Sequence, residues 1–145
     1  MAHARTQIRQ ALTTRLLGLA TTGTNVIATR YDVFAALPGI RVYAESEYKQ
    51  DELMGGRQQR QVVFTVEATA KQNATLEDTL DQIALEIETA IATDQTLGGL
   101  CKGGMRYDGT SEFRTDDNTD QPVGIWPLRF LADYDVDANA PGVIT

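Results

Sequence analysis

The clearest repeat of apolar and polar positions lies in residues 75–93. Apolar side chains recur there at spacings of three and four, the period of one face of an α-helix, while acidic side chains fall mostly on the other face. The apolar positions are Leu76, Leu80, Ile83, Ala84, Ile87, Ala90 and Ile91. Thr75 is expected to cap the N-terminus, with Asp78 completing a variant of the capping box. We therefore predict an amphipathic helix whose apolar stripe covers a neighbouring sheet.

A second helical stripe precedes it, in residues 3–20. The stripe comprises Ile8, Leu12, Leu16 and Leu19. Its polar positions include three arginines, Arg5, Arg9 and Arg15. Gly18 and the polar run after it are expected to end this helix. Residues 25–30 form a short segment with β-branched side chains, which is compatible with a strand or an extended connector.

Alternation with a period of two predicts three main strands. The first follows the turn signal Pro38-Gly39 and covers residues 40–45, the second covers residues 60–70, and the third covers residues 123–136. The second strand has the most regular alternation of side chains, so we place it centrally in the sheet. Pro127 cannot donate a ladder hydrogen bond, which predicts that its end of the third strand lies on an edge or at a bulge. Asp108-Gly109 predicts a short hairpin between residues 105–107 and 111–115.

The order helix, strands, helix, strands predicts an α+β fold: a mostly antiparallel β-sheet with two main helices packed on one face, in a single domain. This domain is expected to span residues 1–137. Residues 138–145 have no periodicity and are predicted to form a flexible C-terminal tail. On the face without helices, Ile125 and Leu131 lie beside Val63. Either a subunit contact or a second core layer would cover these apolar side chains.

Two polar segments are candidate contact surfaces. Residues 48–59 are mixed in charge and contain Gly55-Gly56, so they are predicted to form a long hairpin loop, a length that is usually functional or disordered. The candidate interface residues near this loop are Lys49, Asp51, Glu52, Arg57 and Arg60. The acidic segment DDNTDQP is predicted to be a solvated loop. It contributes the candidates Asp116, Asp117 and Asp120.

The net charge of -7 is unevenly distributed along the chain. Residues 1–41 carry five arginines against Asp32, whereas the remainder carries 8 basic and 19 acidic residues. This balance disfavours nucleic-acid binding, which depends on cations that displace phosphate counterions. It permits the basic start of one subunit to meet the acidic remainder of another, although solvated charge is the commoner explanation. We also find no secretory signal and no apolar run long enough to cross a bilayer, so a soluble intracellular protein without a membrane partner is expected.

The residue inventory predicts no enzyme, no cofactor and no metal site. His3 is the only histidine and is expected to lie at a solvated or frayed end, and Cys101 is the only cysteine. Asp116, Asn118 and Asp120 match the first three ligands of an EF-hand loop. However, Gln121 and Pro127 stand where glycine and a bidentate glutamate are needed. A solvated loop is the expected state, with weak divalent-cation binding as the alternative.

Taken in order, these segments resemble the tail terminator proteins of bacteriophages with long non-contractile tails, the family of the lambda minor tail protein U. The resemblance covers about residues 3–136. It rests on the N-terminal helix, the strand GIRVYAESEY with its charged loop, the strand QVVFTVEATA, the helix TLEDTLDQIALEIETAI, residues 97–100, the acidic loop and the final strand ending in RFLADYDV. The resemblance lies in the order of the segments and in their patterns of apolar and charged residues, and it includes no single diagnostic motif.

The resemblance implies a structural protein of the virion, located in the tail at the head-tail junction and assembled in the bacterial cytoplasm. Such proteins form a homo-oligomeric ring, usually of six, on the tail tube protein. They stop tube growth, provide the surface for the head-tail connector protein, and let DNA pass without specific binding. Residues 49–60 would then reach across subunits or onto the tube. Residues 116–121 and the C-terminal tail would share the opposite, connector-facing side.

Two alternatives remain from the sequence. The nearer is another phage ring component, a head-tail connector or the tail tube protein itself, which would differ in whether it polymerises without limit. The farther is a small ligand-binding α+β domain, which would require a deep pocket lined by several titratable groups.

Overall fold

Seven strands form one sheet in the computed structural model, which describes residues 1–117 and 121–145. Along the sheet the order is β1-β2-β3-β6-β4, with β5 and β7 also paired to β6. The elements are α1 (Ala4–Leu16), β1 (Val26–Ile27), β2 (Gly39–Leu53), β3 (Arg57–Lys71), α2 (Leu76–Thr93), β4 (Met105–Thr110), β5 (Arg114–Asp116), β6 (Val123–Asp137) and β7 (Ala140–Ile144). Of the pairings described, β1–β2 is parallel and the others are antiparallel. The predicted α+β fold in a single domain is confirmed.

Both helices bury their apolar stripes in one continuous core on one face of the sheet. From α1 the buried residues are Ala4, Ile8, Leu12 and Leu16, and from α2 they are Leu80, Ile83, Ile87 and Ile91. The spacing of three and four residues brings each stripe to one side of its helix. Alternate side chains of β3 and β6, such as Phe64 and Phe130, complete the core.

β3 is the central strand, as predicted. It pairs with β2 on one side from Arg57 to Thr69, and with β6 on the other side along its whole length. Residues 62–70 are all buried, on both faces of the sheet. β6 shows the predicted alternation, with Leu128, Phe130, Ala132, Tyr134 and Val136 buried on the helix side.

The helix ends differ in detail from the predictions. α1 ends at Leu16 rather than near Ala20, and the chain then turns at Gly18, whose φ is +84°. Thr75 occupies the N-cap position of α2, but its side chain caps nothing. The Asn73 carboxamide oxygen instead accepts hydrogen bonds from the Thr75 N–H (3.0 Å) and hydroxyl (2.9 Å). The predicted capping box is therefore wrong.

His3 also differs from its prediction as a frayed end. Its Nδ1 accepts a hydrogen bond of 3.1 Å from the Arg5 N–H, and so caps α1. The first turn of an α-helix leaves backbone N–H groups without partners, and an acceptor at this position satisfies one of them.

The predicted long loop in residues 48–59 is wrong. β2 continues to Leu53 and β3 begins at Arg57, so the connection is a turn of residues 54–56, in which Gly55 and Gly56 have φ of +80° and +77°. The register between β2 and β3 shifts between Ala44 and Ser46 and again between Lys49 and Asp51. Each bulge moves the following side chains to the other face, so the period of two disappears although the strand continues.

The predicted hairpin at Asp108-Gly109 is wrong as well. β4 runs through this dipeptide, and β4 and β5 both pair with β6 rather than with each other. Gly109, with φ of +91°, lies at a register shift between Tyr107 and Thr110. The dipeptide therefore forms an irregularity within a strand.

The sequence predicts that Pro127 lies at an edge or at a bulge. The edge is wrong because β6 is an internal strand, whereas the β4–β6 pairing has a register shift close to Pro127, between Tyr107 and Thr110. The Pro127 carbonyl accepts a hydrogen bond of 3.0 Å from the Ser111 N–H, which directs its backbone toward β4 and β5. The break between those two short strands lies opposite Pro127, where no ladder donor is needed.

The tail predicted to be flexible contains a strand. β7 pairs with the end of β6, and the Thr145 N–H donates to the Asp135 carbonyl at 3.0 Å. β7 also contacts the beginning of the chain, because the Gln7 carboxamide donates to the Gly142 carbonyl at 2.7 Å and to the Ala2 carbonyl at 2.9 Å. The prediction of a tail without regular structure is therefore wrong for Ala140–Ile144.

Candidate functional site

The sheet face opposite the helices is the candidate functional surface, and we call it the helix-free face. Its side chains belong to the alternate positions that point away from the core. We restrict the name to the central positions, which are Arg41, Tyr43, Glu45, Gln61, Val63, Thr65, Glu67, Thr69, Arg106, Asp108, Arg114, Ile125, Pro127, Arg129, Leu131 and Asp133. The same side of the sheet continues at its two ends with Asp51, Arg57, Lys71, Asp116, Asp135 and Asp137.

Glu67 lies at the centre of one charged group on this face. Its side chain is 4% exposed, accepts a hydrogen bond from Arg114, and lies 3.9 Å from the Arg41 Nε. A buried carboxylate costs several kcal/mol unless it is paired, which is the reason that two arginines converge on it. One consequence is that Arg41 and Arg114 are held in fixed positions.

A second group of ion pairs covers the rest of the face. Arg129 pairs with Glu45 at 3.0 Å and approaches Asp108 at 4.0 Å. Arg106 pairs with Asp133 at 2.5 Å. Together with the first group, these central positions carry four arginines and four carboxylates, and they are therefore neutral within a chain of net charge -7. At the two ends of the same side, carboxylates outnumber basic side chains.

The apolar side chains of this face differ in exposure. Val63 is only 2% exposed, whereas Ile125 and Leu131 are half-buried. Both helices of the described residues pack on the other side of the sheet, so no helix forms a second core layer over them, and Ile125 instead lines a pocket with Phe34 and Leu37. A subunit contact over Ile125 and Leu131 stays a prediction.

Residues 28–38 form a loop over one end of the helix-free face, and we call it the 28–38 loop. The Arg30 guanidinium lies 4.5 Å from the Tyr43 ring centroid, and the Arg41 guanidinium lies 5.0 Å from the Phe34 ring centroid. Arg41 also donates to the Thr29 carbonyl at 2.8 Å. These stacked guanidinium groups hold the loop against β2.

A pocket of about 420 Å³ lies between this loop and the sheet. Its apolar walls include Val33, Phe34, Leu37 and Ile125. Its polar and titratable lining comprises Arg30, Tyr31, Asp32, Arg41, Thr69, Asp116 and Gln121. This volume and mixed lining are typical of sites that accept a small ligand or an inserted side chain.

The hairpin candidates lie on ordered strands rather than on a loop. Lys49, Asp51 and Glu52 are exposed on β2, and Arg57 is exposed at the start of β3. Lys49 pairs with Glu52 at 3.0 Å, and its hydrogen bond lowers the pKa of Glu52 below the ordinary value.

Arg60 belongs to a different environment, a half-buried polar cluster at the start of α1. It lies 3.9 Å from Glu47, which also accepts hydrogen bonds from Arg5 and the Tyr134 hydroxyl. Burial, followed by the hydrogen bond to Glu47, raises the pKa of Tyr134 well above its ordinary value. Arg5 therefore links α1 to β2 through Glu47, and Arg60, mostly buried beside the same carboxylate, is largely unavailable to a partner.

The acidic candidates lie at the other end of the sheet. Asp116 lines the pocket, and Asp117 accepts a hydrogen bond of 2.8 Å from Gln72. Asp120 and the EF-hand-like position Asn118 fall outside the described residues. The register pairs Asp116 with one end of β6, whereas β7 pairs with the other end. The hypothesis that residues 116–121 and the C-terminal tail share one side is therefore wrong.

Sequence reasoning did not identify the ion-paired face or the pocket. Alternation marked these positions as outward-facing, but it contained no signal that Glu67 would be buried between two arginines. The 28–38 loop has no periodic pattern, so its packing over the sheet depends on tertiary contacts. Its nearest sequence signal is Pro38-Gly39, a turn that begins β2.

Several other features restrict the chemistry of the described residues. Residues 1–117 and 121–145 contain no group of three His, Cys, Asp or Glu side chains placed to hold a metal ion. Neither helix in these ranges is long and apolar enough to span a membrane. Cys101 is buried, and burial, followed by the charge of Asp133, raises the pKa of its thiol to about 12. It is consequently a poor nucleophile at neutral pH.

Comparison with known protein families gives no match for this sequence, and comparison with curated proteins finds no relative.

Proposed function

We propose that this protein is a structural component of a phage virion that caps the tail tube as a ring, ends tube polymerisation and provides the surface for head-tail joining. The proposal combines the segment order with one structural observation, the neutral helix-free face. Its partners would be further copies of the chain, the tail tube protein and the head-tail connector protein. DNA would pass through the ring without specific binding.

The neutral face matters because copies of a strongly acidic protein repel each other. The helix side adds to this repulsion, since α2 exposes Glu77, Asp78, Asp81 and Glu88 and has no basic residue. On the helix-free face each carboxylate is already paired with an arginine. Copies can therefore approach through these central positions with less repulsion than through the exposed side of α2.

The sheet edge supports contact through side chains rather than through strand pairing. β1 covers only Ile40 and Arg41 on the outer side of β2, so the rest of that edge has no strand partner in the described residues. The edge carries two bulges and the charged residues Lys49, Asp51 and Glu52. Such features oppose edge-to-edge strand pairing, so copies are expected to meet through side chains.

Two alternatives keep specific support. Another phage ring component, a connector or a tube protein, would use the same neutral face. A small ligand-binding domain is favoured by the pocket under the 28–38 loop, which has the titratable lining that such a function requires.

The test is the mass of the protein by light scattering over a range of protein and magnesium concentrations, followed by electron microscopy. Closed rings of one size are expected. Filaments that lengthen with concentration would instead identify a tube protein, and a monomer at the highest concentration would contradict free ring formation.

A charge variant tests the role of the face. Arg129→Glu leaves Glu45 and Asp108 without their cation. We therefore expect assembly to require at least about tenfold more protein, which corresponds to a loss of about 1.4 kcal/mol in the free energy of association. The matched control is the double variant Glu45→Arg with Arg129→Glu, which swaps the pair and keeps the face neutral. Equal assembly of both variants would contradict the proposed contact.

A further inference from the structure

We propose that the side chain of Met54 at the hairpin tip of one copy inserts into the pocket under the 28–38 loop of the next copy. This inference rests on the proposed ring and names the two surfaces that meet in it. The hairpin tip is defined as residues 54–56, between β2 and β3.

The hairpin tip presents an apolar side chain on an ordered backbone. Met54 is 91% exposed, although a large apolar side chain gains free energy by leaving water. The turn behind it is fixed, because the Gly56 carbonyl accepts a hydrogen bond of 2.8 Å from the Ala138 N–H. Met54 is therefore displayed by a supported turn rather than by a loose loop.

The pocket has the complementary shape and chemistry. Phe34, Leu37 and Ile125 contribute apolar walls, while Tyr31 and Val33 at its rim are 88% and 85% exposed. An unbranched thioether adapts to an irregular cavity and makes favourable contacts with aromatic rings. Insertion of Met54 would cover apolar groups on both partners.

Other exposed apolar side chains suit the pocket less well. Leu85 lies on the outer side of α2, and Tyr48 lies along β2, so each is part of an extended surface. A concave site needs a narrow, projecting element, and a two-strand turn has that form. Of these three side chains, Met54 is the one carried on such a turn.

The charged groups near the two surfaces include one pair of opposite sign, within a pocket lining that also contains Asp32 and Asp116. Arg30 at the pocket donates to the Ala44 carbonyl and lies on the Tyr43 ring, and it forms no ion pair among the described residues. Asp51 is exposed near the hairpin tip. Insertion of the tip would bring this carboxylate toward the Arg30 guanidinium and allow a pair between copies.

The two surfaces cannot meet within one copy. Thr69, which lines the pocket, is separated from Arg57 by nearly the whole of β3, a distance of about 40 Å at the usual strand rise. Contact between opposite ends of successive copies is heterologous, and a heterologous contact gives a ring when its rotation closes.

Disulfide trapping between two single variants tests the inference. Met54→Cys and Val33→Cys proteins are mixed at a concentration where light scattering shows oligomers, and then oxidised. A disulfide requires Cα atoms within about 7 Å, so a crosslinked dimer is expected from the mixture and from neither variant alone. The buried Cys101 is present in every sample and serves as an internal background.

Three outcomes would overturn the inference. Oligomers without the mixed crosslink would exclude this contact and leave the proposed ring intact. A crosslink in Met54→Cys alone would show a symmetric contact between hairpin tips. A protein that remains monomeric would overturn both the inference and free ring formation.

A second measurement does not depend on disulfide geometry. Met54→Ser is expected to raise the concentration needed for assembly at least about tenfold, whereas Leu85→Ser, which also removes an exposed apolar side chain, should leave it unchanged. Equal effects of the two variants would contradict the assigned contact.

Discussion

His3 illustrates, at the scale of a single residue, how one acceptor fixes the start of a helix. Only the neutral imidazole can accept the Arg5 N–H at Nδ1. Burial, followed by the charge of Arg5, lowers the pKa of His3 below its ordinary value, which favours this neutral form. The cap therefore stabilises the protein above the ordinary histidine pKa. Its contribution is lost as the pH falls through the lowered value.

Replacement of His3 by alanine is expected to lower the free energy of unfolding by about 1 kcal/mol at pH 8, because one N-terminal N–H loses its acceptor. The difference from the original protein should disappear toward pH 5. Urea unfolding of both proteins across this range measures it. His3→Asn is the control, since a carboxamide caps at every pH, and a constant difference for His3→Ala would contradict the assignment.

Glu67 shows what local sequence cannot predict at this scale. Period-two alternation places it on the outer face, where a glutamate is usually solvated, yet its residue is only 3% exposed. Its burial depends on Arg41 and Arg114, which come from two other strands. Neither contact has a signal in the neighbouring residues, so both the buried carboxylate and the face around it were missed.

At the scale of elements, the sequence predicted those whose period is uninterrupted. α1, α2, β3 and β6 follow this rule, because each keeps one apolar stripe or one alternating face over most of its length. The far half of β2 was missed because two bulges reset its alternation. β7 was missed because five residues that include Pro141-Gly142 show too little pattern, and its pairing depends on β6.

The 28–38 loop provides a prediction at this scale. A Cβ on Gly39 would lie 2.5 Å from a Phe34 ring carbon and 2.7 Å from the Asn25 Nδ2. Gly39→Ala is therefore expected to displace the loop and to cost about 1–3 kcal/mol of stability. Urea unfolding measures the loss.

A double-mutant cycle separates loop displacement from backbone effects. In a Phe34→Ala background the main obstruction is absent, so Gly39→Ala should cost less than half as much. An equal cost in both backgrounds would show that Phe34 does not hold the loop where the structure places it.

At the scale of the whole molecule, charge is separated by face as well as by position along the chain. The sequence shows a basic start and an acidic remainder. Folding brings Arg41 of the basic start together with three arginines and four carboxylates of the remainder on the helix-free face, and leaves unpaired carboxylates exposed on α2. The resulting neutral surface could not be predicted from charge counts, because it depends on which strands are neighbours.

Self-association should respond to salt according to this distribution. Long-range repulsion between copies of charge -7 is screened as salt rises, whereas the neutral face changes little. We expect the association constant to increase between about 0.01 M and 0.15 M sodium chloride, over which the Debye length falls from about 30 Å to about 8 Å. Sedimentation measures this trend. A decrease would indicate attraction between oppositely charged surfaces, such as the basic start and acidic remainder.

The contact between β7 and the start of α1 has a topological consequence. Gly142 lies so close to the chain's beginning that an added Cβ would be 2.7 Å from the Ala2 carbonyl oxygen. Residues 2 and 142 are therefore neighbours in space. A circular permutant that joins these two segments and opens the chain at another surface turn is expected to keep the same arrangement of strands and helices.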